Sequence, residues 1–177
     1  MIYSGRYRVT SPFGKRMLNG VVEDHKGIDV VGITNKYVCA VVAGTVAVSQ
    51  IVTDKSNKTW EWGNYICVIG DDGRQYYYCH LQQRLVSAGK RVKRGDHLGI
   101  EGNTGYSFGN HCHFEVRENG VAVNPARFLD ISNVVGVYGV DYRTETQARF
   151  GLSNSTMAYL DKYKYAADLY RKLVESE

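Results

Sequence analysis

The sequence predicts a mainly β fold, a small antiparallel β-sheet or open barrel, followed by a C-terminal α-helical hairpin. Short runs rich in Val, Ile and Tyr alternate with Gly, Asn and Asp clusters from residue 37 to 129, two hairpin signatures fall inside that stretch, and the composition turns helical beyond residue 140. With 177 residues, 44% of them hydrophobic, the chain can bury one main core and a small appendage but not two large domains. The expected division is a principal domain over 1–130, a connector over 131–143 and a helical tail over 144–177.

In chain order, Asn64 to Ile69 and Arg74 to His80 flank Asp71-Asp72-Gly73 and read as the first hairpin. The second runs from His111 to Arg117, turns at Glu118-Asn119-Gly120 and returns through Val121-Ala122-Val123. After Pro125 and Phe128, the Val/Gly-rich stretch from Ile131 to Val140 reads as a linker. A short helix around Glu145 to Phe150, ended by Gly151, comes next. Ser153 or Asn154 then caps a longer helix, on which Tyr159, Tyr163, Ala166, Tyr170 and Leu173 recur at helical spacing. This hairpin either packs on the sheet or docks a partner protein.

Bulk chemistry removes several function classes. The 22 basic and 18 acidic residues give a formal charge of +4, a mild attraction to anionic surfaces such as a cell wall, and no Lys/Arg run marks a nucleic-acid partner. No stretch of about 18 apolar residues exists to span a membrane. Met1 to Gly14 shows neither a basic region followed by an apolar one nor a cleavage site, so no signal peptide is read there. Either the chain is trimmed, or the protein leaves its cell by a route that needs no signal. Cys39, Cys67, Cys79 and Cys112 form no C-x-x-C pair and fall mostly in β-like runs, where a thiol acts as a small hydrophobe rather than a disulfide partner.

The chemistry concentrates on histidine. In His111-Cys112-His113-Phe114-Glu115, residues two apart share a strand face, so His111 and His113 project together. His25-Lys26-Gly27-Ile28-Asp29 adds an imidazole and a carboxylate, with Gly27 and the β-branched residues around it resisting helix. His25, Asp29 and one member of the His111/His113 pair make a three-ligand set with an open fourth position, the catalytic arrangement for zinc. His80 ends the run Tyr76-Tyr77-Tyr78-Cys79, and taken alone reads as a structural residue. His97, in Arg94-Gly95-Asp96-His97-Leu98-Gly99, reads as surface or turn.

Five segments, TSPFGKR (10–16), HKGIDV (25–30), YYCHL (77–81), GKRVKRGDHLGIEGNTG (89–105) and HCHFEV (111–116), in this order and spacing, resemble the lysostaphin-type (LytM-like) zinc peptidoglycan endopeptidases. The resemblance covers roughly residues 9–129 and implies that His25, Asp29 and His113 bind Zn2+ while His80 and His111 are catalytic imidazoles, one taking a proton and the other holding the oxyanion. It implies an endopeptidase that hydrolyses peptide bonds of bacterial peptidoglycan, in the stem peptide or cross-bridge, through a metal-activated water. The loop at 102–110 would line the groove, with Asn103, Thr104, Tyr106 and Ser107 as substrate contacts. The weak likeness to the broad bacterial and phage branch favours a D-Ala to diaminopimelate cross-link over a glycine bridge.

Three other readings compete. A catalytically inactive peptidoglycan-binding regulator of the same fold would have lost ligands, whereas all five positions are intact here. A cysteine peptidase using Cys79 or Cys112 needs a thiol beside a histidine, but strand neighbours point to opposite faces. A lipoyl or biotinyl carrier, prompted by Val92 to Gly102, lacks a Met-Lys hairpin tip.

Overall fold

Runs of Val, Ile and Tyr with alternating polarity form strands because a branched or aromatic side chain packs well on a pleated, half-buried surface. A computed structural model, describing residues 1–57 and 59–176, places them as follows. In chain order the strands are β1 (Tyr7–Ser11), β2 (Gly14–Leu18), β3 (Val21–His25), β4 (Ile28–Gly32), β5 (Tyr37–Cys39), β6 (Gly44–Ile51), β7 (Asn64–Gly70), β8 (Gln75–Cys79), β9 (Gln83–Arg84), β10 (Arg91–Val92), β11 (His97–Ile100), β12 (Cys112–Glu118), β13 (Val121–Val123) and β14 (Gly136–Tyr138). Three helices, α1 (Tyr142–Phe150), α2 (Asn154–Leu160) and α3 (Ala166–Glu175), follow.

The main sheet runs β10-β6-β7-β8-β12-β4-β1-β14, with β13 hairpinned onto β12. Its ladders are antiparallel, and both predicted hairpins, β7–β8 and β12–β13, are present. A smaller sheet, β5-β11-β9, covers one side, and β2–β3 forms a separate ribbon. No closed barrel forms. Alternation sorts β4 and β12: Ile28, Val30, Cys112, Phe114 and Val116 are buried in the core, whereas Asp29, His113 and Arg117 occupy the other face. Tyr78 packs against Phe114 with ring centroids 5.2 Å apart, so the floor beneath the polar face is rigid and aromatic.

One buried carboxylate joins the two sheets. Glu101 accepts hydrogen bonds from Tyr3 Oη and Gly32 N, each at 2.7 Å, and from Lys36 Nζ at 2.9 Å. A buried charge so surrounded is compensated rather than destabilising. All four cysteines are buried and free of disulfides.

Within the 131–143 connector, β14 adds to the sheet edge, with Tyr138 opposite Tyr7. The structure corrects two expectations. The longer tail helix is broken between Leu160 and Ala166, and Tyr159 and Tyr163, 76% and 57% exposed, lie outside the buried face. The helical core is instead Tyr142, Met157 and Tyr170, packed against Met1, Val140 and Leu152. A tyrosine stripe misleads here because its hydroxyl allows it to sit in water. His97 is no free surface residue either: it stacks on Tyr37 at 4.5 Å and faces Asp168 at 3.5 Å, tying α3 to the small sheet. The predicted cap at Ser153 and stop at Gly151 (φ 60°) are present, and α1 starts at Tyr142 beneath an Asp141 cap.

Among the described residues no helix is long and apolar enough to cross a membrane.

Met157 is fully buried in the helical core, and truncating it to Ala should cost about 2–5 kcal/mol locally. Hydrogen exchange should show α1–α3 losing protection while the main sheet keeps it; equal loss in both would mean that tail and sheet unfold together.

Candidate metal centre

The centre is built at the corner where β3 gives way to β4 and where β12 runs alongside. His25 ends β3, Lys26-Gly27 turns the chain, and Asp29 emerges on the polar face of β4. Antiparallel pairing then sets His113 of β12 directly opposite Asp29. The crossing is close: a Cβ on Gly27 would stand 2.4 Å from the Phe114 carbonyl oxygen and 2.8 Å from His113 Cε1. Only glycine fits between the corner and the imidazole.

Three donor atoms meet there. His25 Nε2 lies 3.0 Å from His113 Nδ1, His113 Nδ1 lies 3.0 Å from Asp29 Oδ1, and His25 Nε2 lies 3.1 Å from Asp29 Oδ1. Ligands placed about 2.0–2.1 Å from one tetrahedral ion are separated by roughly 3.3 Å, so this triangle is close to one face of a zinc tetrahedron. Two imidazole nitrogens and a carboxylate oxygen this close need a cation or a shared proton between them. Among the described residues, this is the group of three or more such side chains whose geometry suits a metal.

Outer contacts orient each ring. His25 Nδ1 donates to the Pro12 carbonyl at 2.7 Å, which leaves Nε2 as its free lone pair. His113 turns the other way: Nε2 faces Glu115 Oε2 at 3.4 Å, so Nδ1 is directed into the site. Glu115, 1% exposed, is itself held by Arg117 Nε. The second oxygen of Asp29 accepts from Arg16 Nη1 at 2.8 Å, and Arg16 is braced by Ser11 Oγ and Glu23. Sequence reasoning gave Arg16, Glu115 and Arg117 no role. The i, i+2, i+4 spacing of His113, Glu115 and Arg117 was the available signal.

His80 and His111 stand beside the triangle, with ring centroids 4.7 Å apart. His80 adopts a left-handed backbone (φ 63°) just past β8, a costly conformation for a residue with a Cβ. Its Nδ1 donates to the Thr104 carbonyl at 2.9 Å, and His111 Nδ1 donates to that of Gly109 at 2.8 Å. Both rings therefore turn Nε2 toward the cleft, and that of His111 lies 3.6 Å from Asp29 Oδ1.

Electrostatics follows from this crowding. Burial would raise the Asp29 carboxyl, but hydrogen bonds and charge from His113 and His25 hold it far below the usual carboxylate range. Burial likewise opposes charge on His113, yet Asp29 and Glu115 together push its pKa up to about 9. Burial and the neighbouring His111 and His113 bring His80 down to about 3, leaving it neutral. Cys112 lies on the core face, whereas Cys79 shares the face of its ladder partner His113 but is fully buried; burial pushes both thiols well above their ordinary range, so neither offers a nucleophile.

An open cleft of about 750 Å³ exposes this set to solvent. Tyr106, Ser107 and Phe108 of the 102–110 loop line it together with Trp62, whose neighbour Glu61 accepts a hydrogen bond from Tyr106 N at 2.8 Å. Thr104 works inward: Oγ1 accepts from Asn64 N and donates to the Leu81 carbonyl, both at 2.9 Å. Asn103 is exposed and lies outside the cleft lining.

The sequence profile described as peptidase family M23 matches residues 23–125, more than half of the chain and all five of these positions. The chain belongs to peptidase family M23. Peptidoglycan DD-endopeptidase ShyC of Vibrio cholerae is 36% identical over 121 residues, covering 67% of this chain and 26% of that protein. The chain thus spans about a quarter of the length of such curated relatives. Among solved structures, the catalytic domain of the prophage-encoded M23 protein EnpA of Enterococcus faecalis superimposes with a TM-score of 0.58 at 29% identity, covering 69% of this chain and 91% of that one. The catalytic domain of lysostaphin from Staphylococcus simulans gives 0.55 at 28%, covering 71% and 92%. The lysostaphin-type resemblance read from the motifs is therefore met in sequence and in fold.

Two outcomes follow for this M23 chain. Gly27→Ala should displace β12 and weaken zinc uptake by about 10- to 100-fold with the circular dichroism unchanged; uptake at the wild-type level would mean that the corner yields. Because His113 holds its proton up to about pH 9, zinc must displace that proton, and affinity should rise about tenfold per pH unit below that point. Competition against a chelator at pH 6, 7 and 8 measures the slope; a flat line would mean that His113 gives up no proton.

Proposed function

We propose that the protein is a zinc metalloendopeptidase that hydrolyses peptide bonds of bacterial peptidoglycan. The observation that carries this reading is the triangle of His25 Nε2, Asp29 Oδ1 and His113 Nδ1, with two further imidazole lone pairs on its open side. Family membership and the peptidoglycan DD-endopeptidase activity named for ShyC support the substrate class. An inactive wall-binding regulator would have no use for five convergent metal and proton-transfer groups.

His25, Asp29 and His113 would hold the ion, a donor set of the kind zinc takes in catalytic sites. A zinc ion held by these three side chains would supply Lewis-acid chemistry, making a water more acidic and a carbonyl more electrophilic. His111 Nε2, a free acceptor beside Asp29, takes the proton of the attacking water and passes it to the leaving amine. His80, kept neutral by burial, accepts a hydrogen bond from the same water and aims it. That assignment departs from an oxyanion-holding role for the second imidazole: a ring whose Nδ1–H is committed to Thr104 presents a lone pair, not a donor. Tyr106 and Ser107 line the path of the substrate. The helical tail, which lines no part of the cleft, is left to docking on the sheet or on a partner protein.

Purified walls should release new amino termini when treated with the zinc-loaded protein and stop doing so with chelator. Unchanged release under chelator would remove the metal from the reaction. His113→Ala should lose zinc and activity together, whereas His80→Ala and His111→Ala should keep zinc and lose about 10²–10⁴-fold in turnover. Zinc loss in His111→Ala with retention in His113→Ala would reverse the ligand assignment.

A further inference from the structure

The tail meets the small sheet across a second cavity, of about 360 Å³, that shares no lining residue with the cleft. Arg171 comes to it from α3, Arg94 and Gly95 from the turn between β10 and β11, and Ser4 from the segment leading into β1. A Cβ on Gly95 would stand 3.6 Å from Arg171 Nη1, so the turn lies directly beside that guanidinium. Two buried polar atoms are left over here. Ser4 Oγ and Arg171 Nε have no hydrogen-bond partner among the described residues, and Ser4 is only 7% exposed. Leaving a buried donor unpaired is costly. Arg171 Nε can only donate and the Ser4 hydroxyl can donate too, so a single acceptor lodged in the cavity would satisfy both.

Charge selects that acceptor. Arg94 is exposed and has neither an ion pair nor a hydrogen bond among the described residues, and of the Arg171 nitrogens only Nη1 is engaged, 3.4 Å from Glu175 Oε2. Glu175 is the acidic residue of the cavity wall, and its other oxygen accepts from the Tyr142 hydroxyl at 2.7 Å. Asp168, three residues before Arg171, is turned to His97. Cys39 also lines the cavity, but burial pushes its thiol up to about 11, so it adds no negative charge near neutrality. The wall thus sets two guanidiniums against one carboxylate. A water would leave that excess unmatched, and it occupies about 30 Å³ of a space some ten times larger.

We propose that this cavity binds a phosphate group through Arg94, Arg171 and the Ser4 hydroxyl, and that the bound anion fastens α3 to the small sheet. Guanidinium forks pair with phosphate oxygens in charge-assisted hydrogen bonds. Donors on three separate segments suit a group with oxygens on several sides better than a planar carboxylate. The site is independent of the metal centre and of the peptidase reading.

The test follows hydrogen exchange of α3 in the full zinc-loaded chain, in about 10 mM inorganic phosphate and in chloride or acetate at the same ionic strength. With a Kd near 1 mM, phosphate should slow exchange about tenfold and the other two anions less than about twofold, because binding to the docked tail raises protection by about 1 + [L]/Kd. Arg94→Gln, a change at a side chain without partners, should remove most of the phosphate effect and leave α3 protection in chloride unchanged. Arg171→Gln should remove it as well, and Ser4→Ala should weaken it severalfold. Equal protection of wild type in phosphate and chloride overturns the proposal, and this arm needs no variant to fold. Equal slowing by acetate overturns the phosphate class. Slowing that survives both arginine variants, or that falls on β4 and β12 and not on α3, overturns the site and puts the anion elsewhere. Glycerol phosphate in place of inorganic phosphate identifies the source: slowing by both supports a phosphoryl group carried on a larger molecule, and slowing by the free ion alone supports inorganic phosphate.

Discussion

The pairing of β4 with β12 is the constraint on which the site depends. It places His113 against Asp29 across a single ladder position, and the turn at Gly27 brings His25 to the same point. Each strand also carries core residues on its other face, Ile28 and Val30 on one, Phe114 and Val116 on the other. A one-residue slip would send the ligands into the core and the core into the cleft. Hydrophobic burial therefore holds the register, and the register holds the donor atoms.

Bringing three basic or anionic groups within about 3 Å of one another is unfavourable unless something positive lies among them, and the protein surrounds the triangle with partners rather than relaxing it. Arg16 takes the outer oxygen of Asp29, Glu115 faces the outer nitrogen of His113, and a carbonyl fixes His25. These contacts settle which nitrogen of each ring looks inward, and that choice determines the chemistry. The same device recurs at His80 and His111, whose Nδ1 atoms face the carbonyls of Thr104 and Gly109 beside the triangle. Thr104 illustrates how loop and sheet are joined: its hydroxyl secures Asn64 and Leu81 while its carbonyl aims a histidine.

The remainder of the molecule supports this face from behind. Tyr78 and Phe114 pack with tilted rings under the polar strands, Glu101 ties the small sheet to the large one, and His97 connects the small sheet to α3. The tail thus closes the side of the fold away from the cleft, with its own small core around Met157.

Residue type and local spacing determined much by themselves. Period-two alternation with Asp-Asp-Gly and Asn-Gly turns specified both central hairpins, because strand polarity and turn geometry are local properties. Histidine and carboxylate at His-x-His and His-x-x-x-Asp spacing named the atoms able to hold a metal, and the ordered motifs named the family. Convergence was not local. Asp29 and His113 are 84 positions apart, and only strand pairing brings them to 3.0 Å. The tautomer of each imidazole, the neutrality of His80 and the bracing of Asp29 by Arg16 depend on partners that no spacing rule supplies. The tail erred for the same reason: helical periodicity in tyrosines marks a face, but whether that face meets a core or water is decided by what packs opposite, and Met157 took that place.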